Sequence, residues 1–431
     1  MPSTKHLGLA AACALLLPLA AHAAGFSWQQ YKGQTIHVLA DNNPVGRMIE
    51  TNRAAFEKKT GIKVVVDMFT EQQMRQRLVT VEDAHSGQVD VFMTLPSREG
   101  LQFAKAGWYA DLKPMVSNVS PHYDFAGLSP ALIEAGTIDG HLTSIPVNIE
   151  GPALYYRQDI FKKCGVSVPK SLLDLPAVAK KLHACEPTMT PIATRGLRDA
   201  LAYTYSVFFH NMGGQYIVDG KSGLCSKPGV AAMALYGNLM KDYGPPGGVN
   251  YTFYQISALY RAGRAAMAFE STNELSNIMQ GGARLHDTGI TLLPPGPGGS
   301  HPTVINWGLA ISTYSKHKGA AWFLIQYLSS PAVQAKNQLA GIAAPRPDIA
   351  KQAVVEKWLA AVPVRQEWQS TLSEMAKTGT SEVGYPIVEN PLSRQYFGEA
   401  VDKVILGAAT PTAACAAADA KLNALIAGHA K

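Results

Sequence analysis

The stretch TIHVLADNNPVGRMIETNRAAFEKKTGIKVVVDMF, residues 35–69, decides the fold. Residues 35–40 alternate as a strand does, and Asn42, Asn43 and Pro44 make a loop with a helix start. Residues 45–59 then place Val45, Met48, Ile49 and Phe56 on one face until Gly61 stops the helix. Residues 62–69 are a second strand, rich in Val; a helix rich in Gln and Arg follows, and VDVFMT (residues 89–94) is a third strand. The unit reads βαβαβ, which implies a parallel sheet with right-handed crossovers.

Past a break the pattern recurs. Residues 144–146 and 153–156 read as strands, with helices running through Phe161, near residues 175–183 and over 230–241, so a second α/β layer is expected from about residue 150. Residues 265–270 and 303–312 are further strands, and Ala320, Phe323, Leu324, Tyr327 and Leu328 share one face of a helix. Ser330 and Pro331 open the next helix, and the last hundred residues are mostly helical, ending in the Ala-rich stretch 413–427. No internal repeat is visible.

The 431 residues are 47% hydrophobic and 16% charged, enough apolar material for two or three domains and far from a disordered, collagen-like or coiled-coil composition. Thirty-eight basic against 32 acidic residues, with no run of Lys or Arg, point to no nucleic-acid partner. Residues 1–23 read as a cleaved secretory signal, with Lys5, an apolar run from Leu7 to Ala21 and the small-x-small site Ala21-His22-Ala23. The mature chain is therefore expected to be exported to the periplasm, with no membrane span. Cys13 sits inside the apolar run without a lipobox Leu before it, which argues against a lipid anchor.

Cleavage leaves 37 basic against 32 acidic residues, a net +5, and four cysteines: Cys164, Cys185, Cys225 and Cys415. An even count suits an oxidising compartment. None of the spacings is that of a zinc site, so disulfides are expected and no metal. Three pairings are possible; Cys164 with Cys185 is preferred because it closes a short loop, leaving Cys225 with Cys415. No nucleophile elbow, H-E-x-x-H pair or P-loop is present, and PPGPGG (residues 294–299) reads as a surface turn because its prolines remove donors and no Lys follows. No pair of carboxylates stands out as a glycosidase pair. An enzyme is not expected, nor a cofactor.

Several blocks, in order, resemble the bacterial extracellular solute-binding proteins of ABC importers, the family of the maltose-binding protein. FEKKTGIKVVV (56–66) resembles the family's first helix and second strand, and VDVFMTLPSREGLQFAKAGWYADL (89–112) its third strand and the helix after it. LTSIPVNIEGPALYYRQDIFKKCGV (142–166) is similar to its crossing segment, YRAGRAAMAFES (260–271) to its G-K-A-A-M strand, and WGLAISTYSKHKGAAWFLIQYLSSPAVQ (307–334) to the next strand and helix pair. GIAAPR (341–346) resembles the last crossover. PKSLLDL (169–175) departs from the family, which often carries Thr-Trp there.

The resemblance implies an α/β, two-lobe periplasmic-binding-protein fold of the type II kind, with three interlobe crossings near residues 147–151, 260–268 and 341–346. Residues 24–147 with 268–341 would form the N-terminal lobe, and 148–267 with 342–431 the C-terminal lobe. A ligand would lie between them, where loops at the carboxyl ends of parallel strands converge, and hinge closure would bury it. The implied partners are a small carbohydrate or polyol and the permease subunits of an importer with a separate ATPase, the receptor itself acting as a monomer.

The resemblance and the side-chain chemistry together nominate the contacts. Asp41, Asn42 and Asn43 follow the first strand, with Asn43 also suited to capping the helix. Thr94, Ser97 and Arg98 follow the third strand. Glu150 matches an acidic crossing residue of the family and is the foremost candidate, with a hinge salt bridge as the alternative role. Arg195 and Tyr203 precede NMGGQY, while Glu270, Ser271 and Asn273 follow the AMAF strand, where Asn273 stands in place of an aromatic platform. Trp307 is a candidate to supply that surface instead, with packing in the core as the alternative role, and Arg346 and Tyr396 are outlying candidates. Loss of the platform points toward a monosaccharide or sugar alcohol, and KDYGPPGGVNYTF (241–253) resembles a segment of relatives that bind mannitol or sorbitol. Arg195 leaves a sugar acid or sugar phosphate open. The other readings are a ferric-ion receptor built on the adjacent Tyr155 and Tyr156, and a periplasmic hydrolase.

Overall fold

The computed structural model describes Met1 and residues 26–282 and 284–429. Apart from Met1, the signal segment expected over residues 1–23 lies outside them, as does Cys13. The strands of the two main sheets are, in chain order, β1 (Thr35–Asp41), β2 (Lys63–Phe69), β3 (Val91–Thr94), β4 (Ile145–Pro146), β5 (Pro152–Arg157), β6 (Thr190–Ala193), β7 (Ala265–Ser271), β8 (Thr288–Thr291) and β9 (Gly308–Ile311). The helices used below are α1 (Pro44–Thr60), α2 (Glu71–Asp83), α3 (Arg198–Asn211), α4 (Lys227–Tyr243), α5 (Phe253–Arg261), α6 (Pro363–Thr378), α7 (Asn390–Ile405) and α8 (Pro411–His429).

The first sheet has the order β2-β1-β3-β9-β4. β1 runs parallel to β2 from Thr35 opposite Lys63 to Asp41 opposite Phe69, and parallel to β3, as the βαβαβ reading requires. Local chemistry sets the ends of α1: the Asn43 side chain accepts from the Gly46 N–H at 2.8 Å, Pro44 opens the first turn, and Gly61 closes the helix at φ 72°. β9 is antiparallel to both β3 and β4.

The second sheet has the order β8-β5-β7-β6. β7 is buried along its whole length, antiparallel to β5 and parallel to β6, while β8 pairs antiparallel with β5. Covered on both faces, such a strand reads as a continuous apolar run. α6 packs on β8, where the Glu367 side chain accepts from the Ile290 N–H at 2.9 Å, and α3, α4, α7 and α8 form the helical layer beside it.

This pairing corrects the lobe boundaries read from the sequence. The family resemblance places residues 268–291 in the N-terminal lobe, but β7 and β8 are integral to the second sheet, with Phe269 opposite Leu154 and Ile290 opposite Tyr155. The chain returns to the first lobe at residues 303–307, not at 260–268. Strand membership is decided by non-local pairing, which the local pattern AAMAFES does not carry.

The three crossings lie side by side. The Val147 N–H donates to the Trp307 carbonyl at 3.0 Å, Glu150 and Ile305 exchange both backbone bonds at 2.9 and 2.8 Å, and the Ile149 N–H donates to the Ala343 carbonyl at 3.0 Å. Gly151 is needed here because a Cβ at that position would stand 2.0 Å from the Thr303 carbonyl oxygen.

Two disulfides stitch the second lobe: Cys164–Cys185, with Cα atoms 5.7 Å apart, and Cys225–Cys415, 5.5 Å apart, the pairing preferred from loop length. Among the described residues no helix is long and apolar enough to cross a membrane.

Candidate functional site

The loops after β1, β2 and β3 face the crossings and the second lobe across a narrow cavity. The first lobe contributes Asn43, Pro44, Glu71, Leu95 and Ser97 to the lining, and the crossings contribute Glu150, Ile305 and Trp307. The second lobe supplies Arg195, Tyr203, Phe253, Ser271, Asn273 and Glu274, with Val383 and Arg394 from the C-terminal helical layer.

Eight of the nominated residues thus meet in one cavity: Asn43, Ser97, Glu150, Arg195, Tyr203, Ser271, Asn273 and Trp307. Four more stand behind its wall. Asp41 accepts from the Tyr254 hydroxyl at 2.9 Å, Thr94 bonds the Tyr109 hydroxyl at 2.7 Å, Arg98 pairs with Asp199, and Glu270 holds Arg195.

Asn42, Arg346 and Tyr396 lie outside the cavity. Asn42 is exposed and receives Arg47. Arg346 spends its guanidinium on the carbonyls of Ser329, Asp124 and Tyr123, anchoring the last crossover to the first lobe. Tyr396 lies under the Lys421 ammonium, against α8. A place in a crossover or a C-terminal helix does not say which way the side chain leaves the backbone.

Among the described residues Glu150 makes no salt bridge; it is held by neutral donors. The Ser271 hydroxyl and the Asn273 amide donate to its Oε2 at 2.5 and 2.8 Å. Burial outweighs these donors and the field of Arg195, and pushes its pKa up to about 7. Glu274, bonded by Ser257 and Asn277, is likewise raised to about 7 by burial and by the charge of Glu270. Burial and Glu71 raise Asp41 as well. Arg195 is forked onto Glu270, with Nε 3.0 Å from each oxygen and Nη2 2.5 Å from Oε1, and its guanidinium stands 4.5 Å from the Tyr203 ring centre and 5.6 Å from that of Phe253. Among the described residues the Tyr203 hydroxyl and Asn273 Oδ1 are buried without a hydrogen-bond partner.

A second charge cluster lies toward α7. Arg75 bonds Glu71 at 2.5 Å and Glu99 at 3.2 Å, Arg98 bonds Asp199 at 2.5 Å, and Arg394 Nε donates to the Asp199 carbonyl at 2.9 Å. Burial resists ionisation of Glu71, but Arg75, Arg195 and Arg98 overcome it and hold its pKa at about 2. Burial and the neighbouring Arg98 lower Arg394 to about 9. Several of these contacts join the lobes directly: Arg98 to Asp199, Tyr254 to Asp41, and Arg47 to Asn277 at 2.6 Å. The lobes are closed on one another.

Glu71, Phe253, Glu274 and Arg394 are the polar and aromatic lining residues that the sequence reading missed. Glu71 had a signal, since it follows β2 as Asn43 and Ser97 follow β1 and β3. Arg394 had none, being one charge among many on a helix.

The paired-phenolate reading does not survive the geometry. The Tyr155 hydroxyl is buried and donates to the Ser271 carbonyl at 2.8 Å, whereas Tyr156 packs on Phe161 with ring centres 5.1 Å apart. Successive strand residues face opposite sides of the sheet.

A sequence model of the family described as bacterial extracellular solute-binding protein matches residues 41–335. The mannitol-binding protein of Pseudomonas aeruginosa is 27% identical over 376 residues, covering 82% of this chain and 80% of its own. The erythritol/L-threitol-binding protein of Mycolicibacterium smegmatis is 24% identical over 330 residues, 70% of this chain and 68% of its own. Among solved structures, an ABC transporter solute-binding protein of Agrobacterium radiobacter in complex with ribitol superposes with a TM-score of 0.81 at 23% identity, covering 91% of this chain and 99% of that one. One from Agrobacterium vitis with bound D-mannitol gives 0.79 at 23% identity, covering 92% and 100%.

Proposed function

This chain belongs to the bacterial extracellular solute-binding proteins, and from that premise we propose that it is the receptor of an ABC importer, capturing a sugar alcohol or a monosaccharide between its lobes. It carries out no bond-breaking step; closure about the three crossings buries the solute, and the closed form delivers it to the membrane permease. The signal read over residues 1–23 supports a periplasmic setting.

One observation carries the ligand class. The cavity is lined by a phenol, a primary amide and a carboxylate, those of Tyr203, Asn273 and Glu150, together with Trp307. A hydroxyl group donates and accepts at once, so a chain of hydroxyls satisfies such a mixed set of donors and acceptors. The relatives named for mannitol and for erythritol and L-threitol, and the neighbours holding ribitol and D-mannitol, support the same class.

Thermal unfolding against a panel of sugar alcohols and monosaccharides tests it. A ligand at about 100 times its dissociation constant adds about 2.7 kcal/mol, a rise of several degrees. A panel in which no member raises the midpoint overturns the proposal.

A further inference from the structure

The charged groups around the cavity are unevenly shared between its two ends. Toward α7, three guanidiniums (Arg75, Arg98, Arg394) face three carboxylates (Glu71, Glu99, Asp199), and the set is joined by the bonds described above into a neutral cluster. At the end formed by the crossing and β7 the count is different. Glu150, Glu270 and Glu274 share one guanidinium, Arg195, and the forked bond commits that group to Glu270. Among the described residues Glu150 and Glu274 receive only neutral donors, from Ser271, Asn273, Ser257 and Asn277.

We infer that this acidic end is a charge filter: the receptor admits polyols that are neutral or carry an ammonium, and rejects those that carry a carboxylate or a phosphate. The inference rests on the polyol reading above and sharpens it. Arg195, which by itself invites an anion, has its charge answered by Glu270 before any ligand arrives. An anionic group reaching instead for Arg394, which lines the opposite end, enters the fields of Glu71 and Asp199. A neutral hydroxyl meets no such resistance, because it donates to a carboxylate or accepts from a protonated one. Burial that raises Glu150 and Glu274 keeps both options available near neutral pH. An ammonium has three donors and no acceptor, which matches Glu150, Glu274 and Asn273 Oδ1.

Two matched series separate charge from shape: D-mannitol, 1-amino-1-deoxy-D-mannitol and D-mannonate, and D-glucitol, D-glucamine and D-gluconate. Each trio shares one carbon skeleton and differs at one terminus. Titration calorimetry on the wild-type protein at about pH 7.5 should find the aldonate at least about 100-fold weaker than its hexitol, the size expected of like charges brought together in a closed site, and the amine within about tenfold of it. Glu150→Gln and, separately, Glu274→Gln should each narrow the gap between aldonate and hexitol by about tenfold. Having two variants guards against one that folds poorly, and the wild-type comparison needs neither.

An aldonate that binds wild type as tightly as its hexitol overturns the filter and leaves the polyol reading standing. A gap that neither variant narrows also overturns it. If no neutral polyol or monosaccharide binds at all, the polyol reading falls and the filter with it.

Discussion

Arg98 and Asp199 form a buried ion pair across the cleft, with Nη2 2.5 Å from Oδ2 and side-chain exposures of 7% and 11%. Arg98 follows β3 in the first lobe, Asp199 lies in the first turn of α3 in the second, and neither lines the cavity. The pair exists only while the lobes are closed, so it holds the closed form without touching solute. Asp199→Asn should therefore raise the ligand off-rate by about tenfold and change the on-rate by much less, since hydrogen bonds to charged groups contribute about 1.5–3 kcal/mol and affinity changes fall mostly on dissociation. Stopped-flow fluorescence with a ligand found by the thermal panel measures both rates; an unchanged off-rate removes the pair from closure.

Arg195 has a structural role as well as a place in the cavity wall. Glu270 is 1% exposed, and without the guanidinium it would keep only the Ser271 N–H, at 2.8 Å. Arg195→Ala should lower unfolding stability by about 3–5 kcal/mol, the usual penalty for stripping one partner from a buried pair. Adding Glu270→Gln to it should recover part of that loss. Urea unfolding of the two variants decides the point, and a single variant as stable as wild type would contradict it.

The raised carboxylates give the ligand-free protein a pH dependence of definite sign. Glu150 and Glu274 move from an ordinary 4.5 to about 7, so between those values the native state holds protons that the unfolded chain has released. Their stabilising contribution is complete below about pH 4.5 and is lost as pH rises through about 7, at roughly 2–3 kcal/mol per group. Glu71, held at about 2, works oppositely: its contribution is present above 4.5 and is lost as pH falls through 2. Unfolding free energy should thus be greatest near about pH 5 and fall toward about pH 7.5, and Glu150→Gln should flatten the slope. A curve that rises over that interval would refute the assignment.

Reduction should weaken the second lobe most through its longer bridge. Cys225–Cys415 spans 190 residues and Cys164–Cys185 spans 21, which by loop entropy correspond to about 5 and about 3 kcal/mol. Calorimetry of Cys225→Ala/Cys415→Ala and Cys164→Ala/Cys185→Ala pairs should show the larger fall in midpoint for the first.

Local pattern carried much of this molecule. The alternation in β1, the cap at Asn43 and the stop at Gly61 each depend on neighbours within a few residues, and these elements formed where the pattern put them, within a residue or two. The lobe membership of β7 depends on β5, more than a hundred residues away, and no local pattern encodes it. The site divides the same way. Glu150, Ser271 and Asn273 sit close to strand ends and crossings, where the fold gathers side chains, whereas Arg394 enters the cavity from the middle of a C-terminal helix. Arg346 shows the converse, a crossover residue whose guanidinium is used up by three carbonyls before it can reach the cleft.

The place of β9 has a consequence for how the chain can be divided. It lies between β3 and β4, although some 160 residues of the second lobe separate it from β4 along the chain. A fragment that stops short of Gly308 leaves β3 and β4 as open edges, with unsatisfied backbone groups available to any passing strand. Expression of the first lobe as one continuous piece should therefore give aggregates. A working miniature would have to splice residues 26–147 directly to residues 305–341, leaving out both stretches of the second lobe.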